Sequence, residues 1–243
     1  MKNVLRTLAA SLVLSSAMAP AQAADLTQAH RDAISGDGRS AVTVWWVIFN
    51  SPEHCFGNPD PNANCSGVDI LGQPFLDSVA AGAPDTSLIA TNWAARPAGL
   101  FATGAETSAS GQVRLVSSLY RTDPSMEDLP DNTDPFGLGG GYVNERAEVH
   151  LVVRDHGAPI NGDLVSQLVG YLDPHCADPR LQIPGGPNVC RDKQFAIFGP
   201  DESGSEPMRA FATGGGEVPR SRAILMRDAG VLRAVIETQI SSD

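Results

Sequence analysis

The sequence predicts an all-β fold: an antiparallel β-sandwich or flattened barrel of about nine strands with at most one short helix, stapled by disulfides. Three observations carry this. Short runs dense in Val, Ile, Leu, Trp and Phe recur between breaks rich in Gly, Pro and Asn. Several of these runs alternate apolar and polar residues with the period of a half-buried strand. Finally, the cysteines follow a leader of the export type.

In that leader, Lys2 and Arg6 precede an apolar stretch, Leu8 to Met18, that is too short to span a bilayer. Ala21-Gln22-Ala23 then supplies a small-x-small cleavage pattern. Residues 1–23 therefore read as a signal peptide, 24–40 as a loosely ordered N-terminal segment and 41–243 as a single β-sandwich domain. The expected location is periplasmic or extracellular. In such an oxidising compartment Cys55, Cys65, Cys176 and Cys190 are expected to be bridged. The local pairs Cys55–Cys65 and Cys176–Cys190 are favoured, because each brackets a turn-rich loop and short loops close at low entropic cost.

A hydrophobic content of 42% is enough to bury a core, and no later run is long and apolar enough for a membrane span. The formal charge of −11 becomes more negative when the leader is lost, which disfavours nucleic acid and anionic lipid as partners. A small-molecule, cell-envelope or protein ligand, bound by a monomer, is the expectation that remains.

The elements follow in order. Ala41–Phe49 is apolar on both faces, which reads as a central strand buried on both sides. Ser51–Gly72 reads as a long loop tied by the first cysteine pair. Strands are expected at Ser87–Trp93, Gly99–Thr103 and Gln112–Tyr120. In the last, Val113, Leu115 and Leu119 share one face and Arg114, Val116, Ser118 and Tyr120 the other. Residues 122–141, acidic and rich in Gly and Pro, form an expected exposed insertion. Ala147–Arg154 reads as a strand, while Asp163–Tyr171 fits helical spacing with Asp163 as its N-cap. Gln194–Phe198 and Met208–Thr213 are expected strands. The chain closes on a hairpin, Ala223–Met226 turning through Asp228-Ala229-Gly230 into Val231–Ile240.

Chemistry is expected first on the strand from Glu148 to His156. When extended, it places Glu148, His150, Val152, Arg154 and His156 on one face. The plain expectation is a half-buried strand showing that polar face to water. The functional alternative makes His150 a proton carrier or metal ligand tuned by Glu148, with Arg154 and His156 as further catalytic candidates. Residues six apart on a straight strand are separated by about 20 Å, so His150 and His156 cannot share a metal unless the chain folds back. The remaining metal candidates are His54 and His175, each of which precedes a cysteine. No cofactor is expected; a divalent metal is the alternative. Asp60-Pro61-Asn62-Ala63-Asn64 alternates oxygen side chains like a calcium loop, but Cys65 stands where such a loop needs Gly. The nucleophile-elbow, zincin, phosphate-loop and dinucleotide signatures are absent.

The segment from Ala147 to Ile160, Ala-Glu-Val-His-Leu-Val-Val-Arg-Asp-His-Gly-Ala-Pro-Ile, resembles a signature of secreted bacterial β-proteins. The Trp-rich strand running into Asn50-Ser51-Pro52-Glu53-His54-Cys55 is similar to a second piece of it, and Cys190 with Gln194–Phe198 to a third. Ala147-Glu148-Val149-His150 also resembles the Ala-His-Ile-His strand of CHRD (chordin-type) domains. Here Glu148 replaces the first histidine, and a six-residue extension precedes the turn. These resemblances imply an exported β domain and no mechanism. The expected role is that of an exported binding or structural protein. The alternative is a metal-dependent or acid–base enzyme, hydrolase-like, centred on His150.

Overall fold

A computed structural model of the chain describes residues 39–57, 63–81, 85–120, 143–157, 159, 164–169, 191–211, 216–228 and 231–240. Among these, eight strands form one antiparallel sheet: β1 (Ala41–Phe49), β2 (Pro97–Glu106), β3 (Gln112–Tyr120), β4 (Glu148–Asp155), β5 (Arg191–Phe198), β6 (Gly204–Ala210), β7 (Glu217–Asp228) and β8 (Val231–Gln239). Their order is β2-β1-β4-β5-β6-β7-β8-β3. The two edges, β2 and β3, are consecutive in the chain, so the sheet curls into a nearly closed barrel. Trp46 Nε1 donates to Ser117 Oγ at 3.2 Å, and that hydroxyl donates to the Ala102 carbonyl at 3.1 Å, which joins the edges.

Curling removes most of the open edge that a flat eight-stranded sheet would expose. At this strand number the interior is just wide enough to be filled by side chains. The filling is the period-two apolar set: Val42, Val44, Trp46 and Ile48 from β1, Val149, Leu151 and Val153 from β4, and Leu232, Ala234 and Ile236 from β8. Phe198, Met208 and Leu225 are among the other residues that fill it. In the turn before β3, Gly111 has φ +77°, and a Cβ there would collide with the Ile240 carbonyl. Ile240 N donates to Gly111 O at 2.9 Å, so glycine allows β8 to close against the β2–β3 turn. At the other end Arg227 donates to the carbonyls of Glu202, Ala147 and Gly199, binding β7 to the ends of β4 and β5.

The hairpin β7–β8, the buried central strand β1 and the faces of β3 follow the sequence pattern. Four expectations differ. Three short helices occur where at most one was expected: α1 (Gly67–Leu71), α2 (Gln73–Ala80) and α3 (Leu164–Val169). Only the last had a helical pattern that stood out. Residues 51–72 are accordingly not one long loop: a 3₁₀ turn at Pro52–His54 and α1 lie within them. Ser87–Trp93 is no strand; 3₁₀ turns occupy Thr86–Leu88 and Trp93–Ala95. Its backbone bonds run elsewhere, Ala90 N to Leu71 O and Asn92 N to Asp69 O, while Asp85 caps the first turn through Ser87. Local side-chain bonds of this kind compete with a ladder. The fourth difference is that the polar face of β4 is not open to water: Glu148 and His156 are 0% exposed and His150 9%.

The Cys55–Cys65 bridge is formed, with Cα atoms 5.1 Å apart. Cys176, Cys190, the leader, the insertion 122–141 and the N-cap Asp163 lie outside the described residues. No described helix is long and apolar enough to cross a membrane.

Candidate functional site

β4 is covered because a cap lies over the outer face of β1, β4 and β5. The cap is built from the described residues between Ser51 and Arg96, and two buried carboxylates hold it. Asp69, on the first turn of α1, accepts from Ser66 N at 3.0 Å through Oδ2. Its Oδ1 accepts from Phe56 N at 3.0 Å and from Asn92 Nδ2 at 2.9 Å. Ser66 Oγ in turn accepts from Val68 N at 3.3 Å, the reciprocal arrangement of a capping box. Thus one side chain starts α1 and ties it to both flanking segments.

Glu148 plays the matching part on the sheet. Its Oε2 accepts from Asn64 N at 2.8 Å, and its Oε1 accepts from Cys65 N at 3.0 Å and from His150 Nε2 at 2.6 Å. Burying a carboxylate is expensive unless its lone pairs are met by donors, and here three donors meet them. The bridge fixes Cys65, Cys65 helps fix Glu148, and Glu148 fixes the imidazole of His150. Phe49 packs edge-on against that ring, with centroids 5.2 Å apart. Phe49, Cys65, Ile70 and Ala95 form a second apolar cluster, separate from the barrel interior.

Between cap and sheet lies a cavity of about 340 Å³. Val47, Phe49, Val152, Phe195 and Ile197 line it from the sheet, and Ile70, Leu71 and Leu76 from the helices. The polar groups on its wall include His150 and Asp192. Asp192 accepts from Arg154 Nη1 at 2.8 Å, so Arg154 faces a carboxylate and not water. A second, polar cleft of about 530 Å³ lies beside the bridge, lined by Asn50, Glu53, Cys55, Asn64 and Arg146 among others.

The sequence candidates separate along β4. Glu148 and His150 meet. His156 sits at the far end, where its Nε2 lies 2.8 Å from Thr43 Oγ1, which also accepts from Trp45 Nε1 at 3.0 Å. Beside it Asp155 accepts from Gly157 N at 2.9 Å. Burial pushes the Asp155 carboxyl above the usual carboxylate range, against the opposing pull of the Gly157 N–H and the Lys193 charge. His54 is exposed on its 3₁₀ turn, 3.9 Å from Glu53. His175 lies outside the described residues. Among the described residues no group of three or more His, Cys, Asp or Glu side chains could hold a metal ion.

Sequence reasoning missed Asp69 and Asp192. The signal for Asp69 was present as Ser66-x-x-Asp69 ahead of an apolar pair. Asp192 had none, because its partner Arg154 is distant in the chain. No family model, curated protein or solved structure matches this chain.

Proposed function

We propose that this is an exported binding protein that carries a small, largely apolar molecule in the cavity between the cap and the outer face of β1, β4 and β5. The observation that carries this is the cavity itself: about 340 Å³, walled mainly by aliphatic and aromatic side chains, with His150 held in its wall by Glu148. Small-molecule sites commonly combine an apolar lining with a few fixed polar groups at volumes of about 300–1,000 Å³. Export is supported by the leader pattern of residues 1–23 and by the Cys55–Cys65 bridge, which suits an oxidising compartment.

The test is titration with N-phenyl-1-naphthylamine, an uncharged fluorophore that brightens in apolar surroundings. Saturable 1:1 binding is expected. Val152→Trp, which fills the cavity from its floor, should weaken binding at least about tenfold (about 1.4 kcal/mol) with an unchanged circular dichroism spectrum. Equal binding by the variant would remove the cavity as the site.

The 2.6 Å bond between Glu148 and His150 favours one second reading, acid–base chemistry on the molecule bound beside it. Glu148 would act there as a positioning residue for the imidazole. Turnover of apolar nitrophenyl esters that disappears in His150→Gln, with probe binding retained, would move the assignment from carrier to hydrolase.

A further inference from the structure

We infer that the outer face of β7, β8 and β3 is a docking surface for an extended, acidic segment of a partner protein. The segment it fits has carboxylates four residues apart and an apolar side chain midway between them. Leu115, Ala223, Leu225, Leu232, Ala234 and Ile236 point into the barrel, so the alternate residues of these three strands point out. Strand register sets the outward residues in rows. Arg114, Glu237 and Arg222 form the first, and Val116, Val235 and Ile224 the second. Ser118, Arg233 and Met226 form the third. This face is open to solvent: Val116 is 52% exposed and Met226 39%, with Val235 and Ile224 partly buried between them.

Charge sets this face apart from the chain as a whole. The formal charge is −11, yet here Arg114, Arg222 and Arg233 stand against Glu237 and Asp228. Arg220 is also exposed, two residues before Arg222. Arg222 Nε donates to Glu237 Oε2 at 2.7 Å and Arg114 Nε to Oε1 at 3.3 Å. The Arg222 bond foremost, with that from Arg114, holds the Glu237 carboxyl below the usual carboxylate range. Two guanidiniums bring about ten N–H donors to a carboxylate with about four acceptor sites, so the first row stays cationic and rich in donors. In the third row Arg233 lies 3.8 Å from Asp228, and both side chains are more than half exposed. A pair so wet holds its partner weakly. The first and third rows are four residues apart along β8, about 13 Å, with the apolar row midway. An extended segment lying along β8 repeats its side chains at the same spacing, so acid–apolar–acid meets Arg–Val–Arg. A cationic segment would meet like charge. A long polyanion would run past this face onto the acidic remainder of the chain.

The experiment is an NMR titration of the full chain at neutral pH with the end-blocked peptide Thr-Glu-Thr-Ile-Thr-Glu-Thr. Three companions are run beside it: one with Lys for both Glu, one with Ser for Ile, and one with the two Glu adjacent. The parent peptide is expected to shift amides of β3, β7 and β8 saturably, and to bind more weakly as salt is raised. The Lys peptide should bind at least about tenfold more weakly, and the other two at least about threefold. Arg222→Glu should weaken the parent at least about threefold with the other amide signals unmoved, while Glu237→Gln should tighten it. That opposition of sign separates charge recognition from a general loss of structure. Equal binding by parent and companions, shifts centred on other strands, or no saturation by about 10 mM peptide would overturn the inference. Self-association of the wild-type chain that Arg222→Glu abolishes would give the face to a second copy instead. Peptide binding that appears only once residues 123–134 are deleted would give it to that acidic stretch of the chain.

Discussion

Inside the barrel, Leu151, Phe198, Leu225 and Ile236 are fully buried against one another, and their neighbours are the alternate residues of adjoining strands. Under the cap, by contrast, the contacts that decide position are few and directional: three hydrogen bonds to Asp69, three to Glu148, and one bridge. The first region is stabilised roughly in proportion to area removed from water, so no single residue defines it. The second depends on donors reaching particular oxygens, and losing one leaves a buried polar group without its bond. A barrel built the first way can remain folded while a cap built the second way shifts. That division suits a site whose floor must be rigid and whose roof must admit a ligand.

The largest effect that this contrast predicts lies inside. Leu225→Ala removes a fully buried side chain from a closed interior with little room to collapse. It should cost about 3–5 kcal/mol in urea unfolding, with the whole domain affected together. A loss below about 1 kcal/mol would mean that the interior tolerates voids and that the contrast is false.

How much of this was legible in the sequence follows the same line. Most strands were, because period-two alternation states which face is buried: Leu115 in β3, Leu232 and Ile236 in β8, and both faces of β1. The cap was not. Leu88 and Ile89 carry a strand-like composition, yet remain exposed beside 3₁₀ turns because the backbone around them bonds to the end of α1. The pairing of Glu148 with His150 was anticipated from their spacing on one strand. That this face is roofed was not, since the roof comes from a segment more than 50 residues earlier, and its anchors are backbone N–H groups that any residue supplies. Asp192 against Arg154 is the same kind of case, a contact fixed by register between strands.

A middle-sized effect tests the cap. In Glu148→Gln one carboxylate oxygen becomes an amide NH₂, so one of the backbone N–H groups at Asn64 or Cys65 faces a donor. The expected cost is about 1–3 kcal/mol, and it should fall locally. Hydrogen exchange at the Asn64 and Cys65 amides should quicken by roughly tenfold or more, while exchange within β1, β3 and β8 stays unchanged. Uniform acceleration across the barrel would show that cap and barrel unfold as one unit.

The smallest effect sharpens the comparison at the far end of β4, where a carboxylate is buried with weaker compensation. Asp155 accepts from the Gly157 N–H at 2.9 Å and feels the Lys193 charge, yet burial outweighs both and raises its carboxyl above the ordinary range. A carboxyl raised in the folded state contributes stability that is fully present below the unfolded-state value and is lost as pH rises through the folded-state value. Above the unfolded-state value the burial of Asp155 is therefore a net cost. Asp155→Asn keeps a carbonyl oxygen for Gly157 and removes the charge. The variant should gain stability relative to wild type as pH rises from the acid range toward neutral, and the gap should close again on acidification. Glu148→Gln should be destabilised at neutral pH, because it loses a bond that its carboxylate makes there. Parallel urea titrations of both variants across that pH range test the opposition. The same sign for both at neutral pH would mean that Asp155, like Glu148, is held by its donors more strongly than burial opposes it.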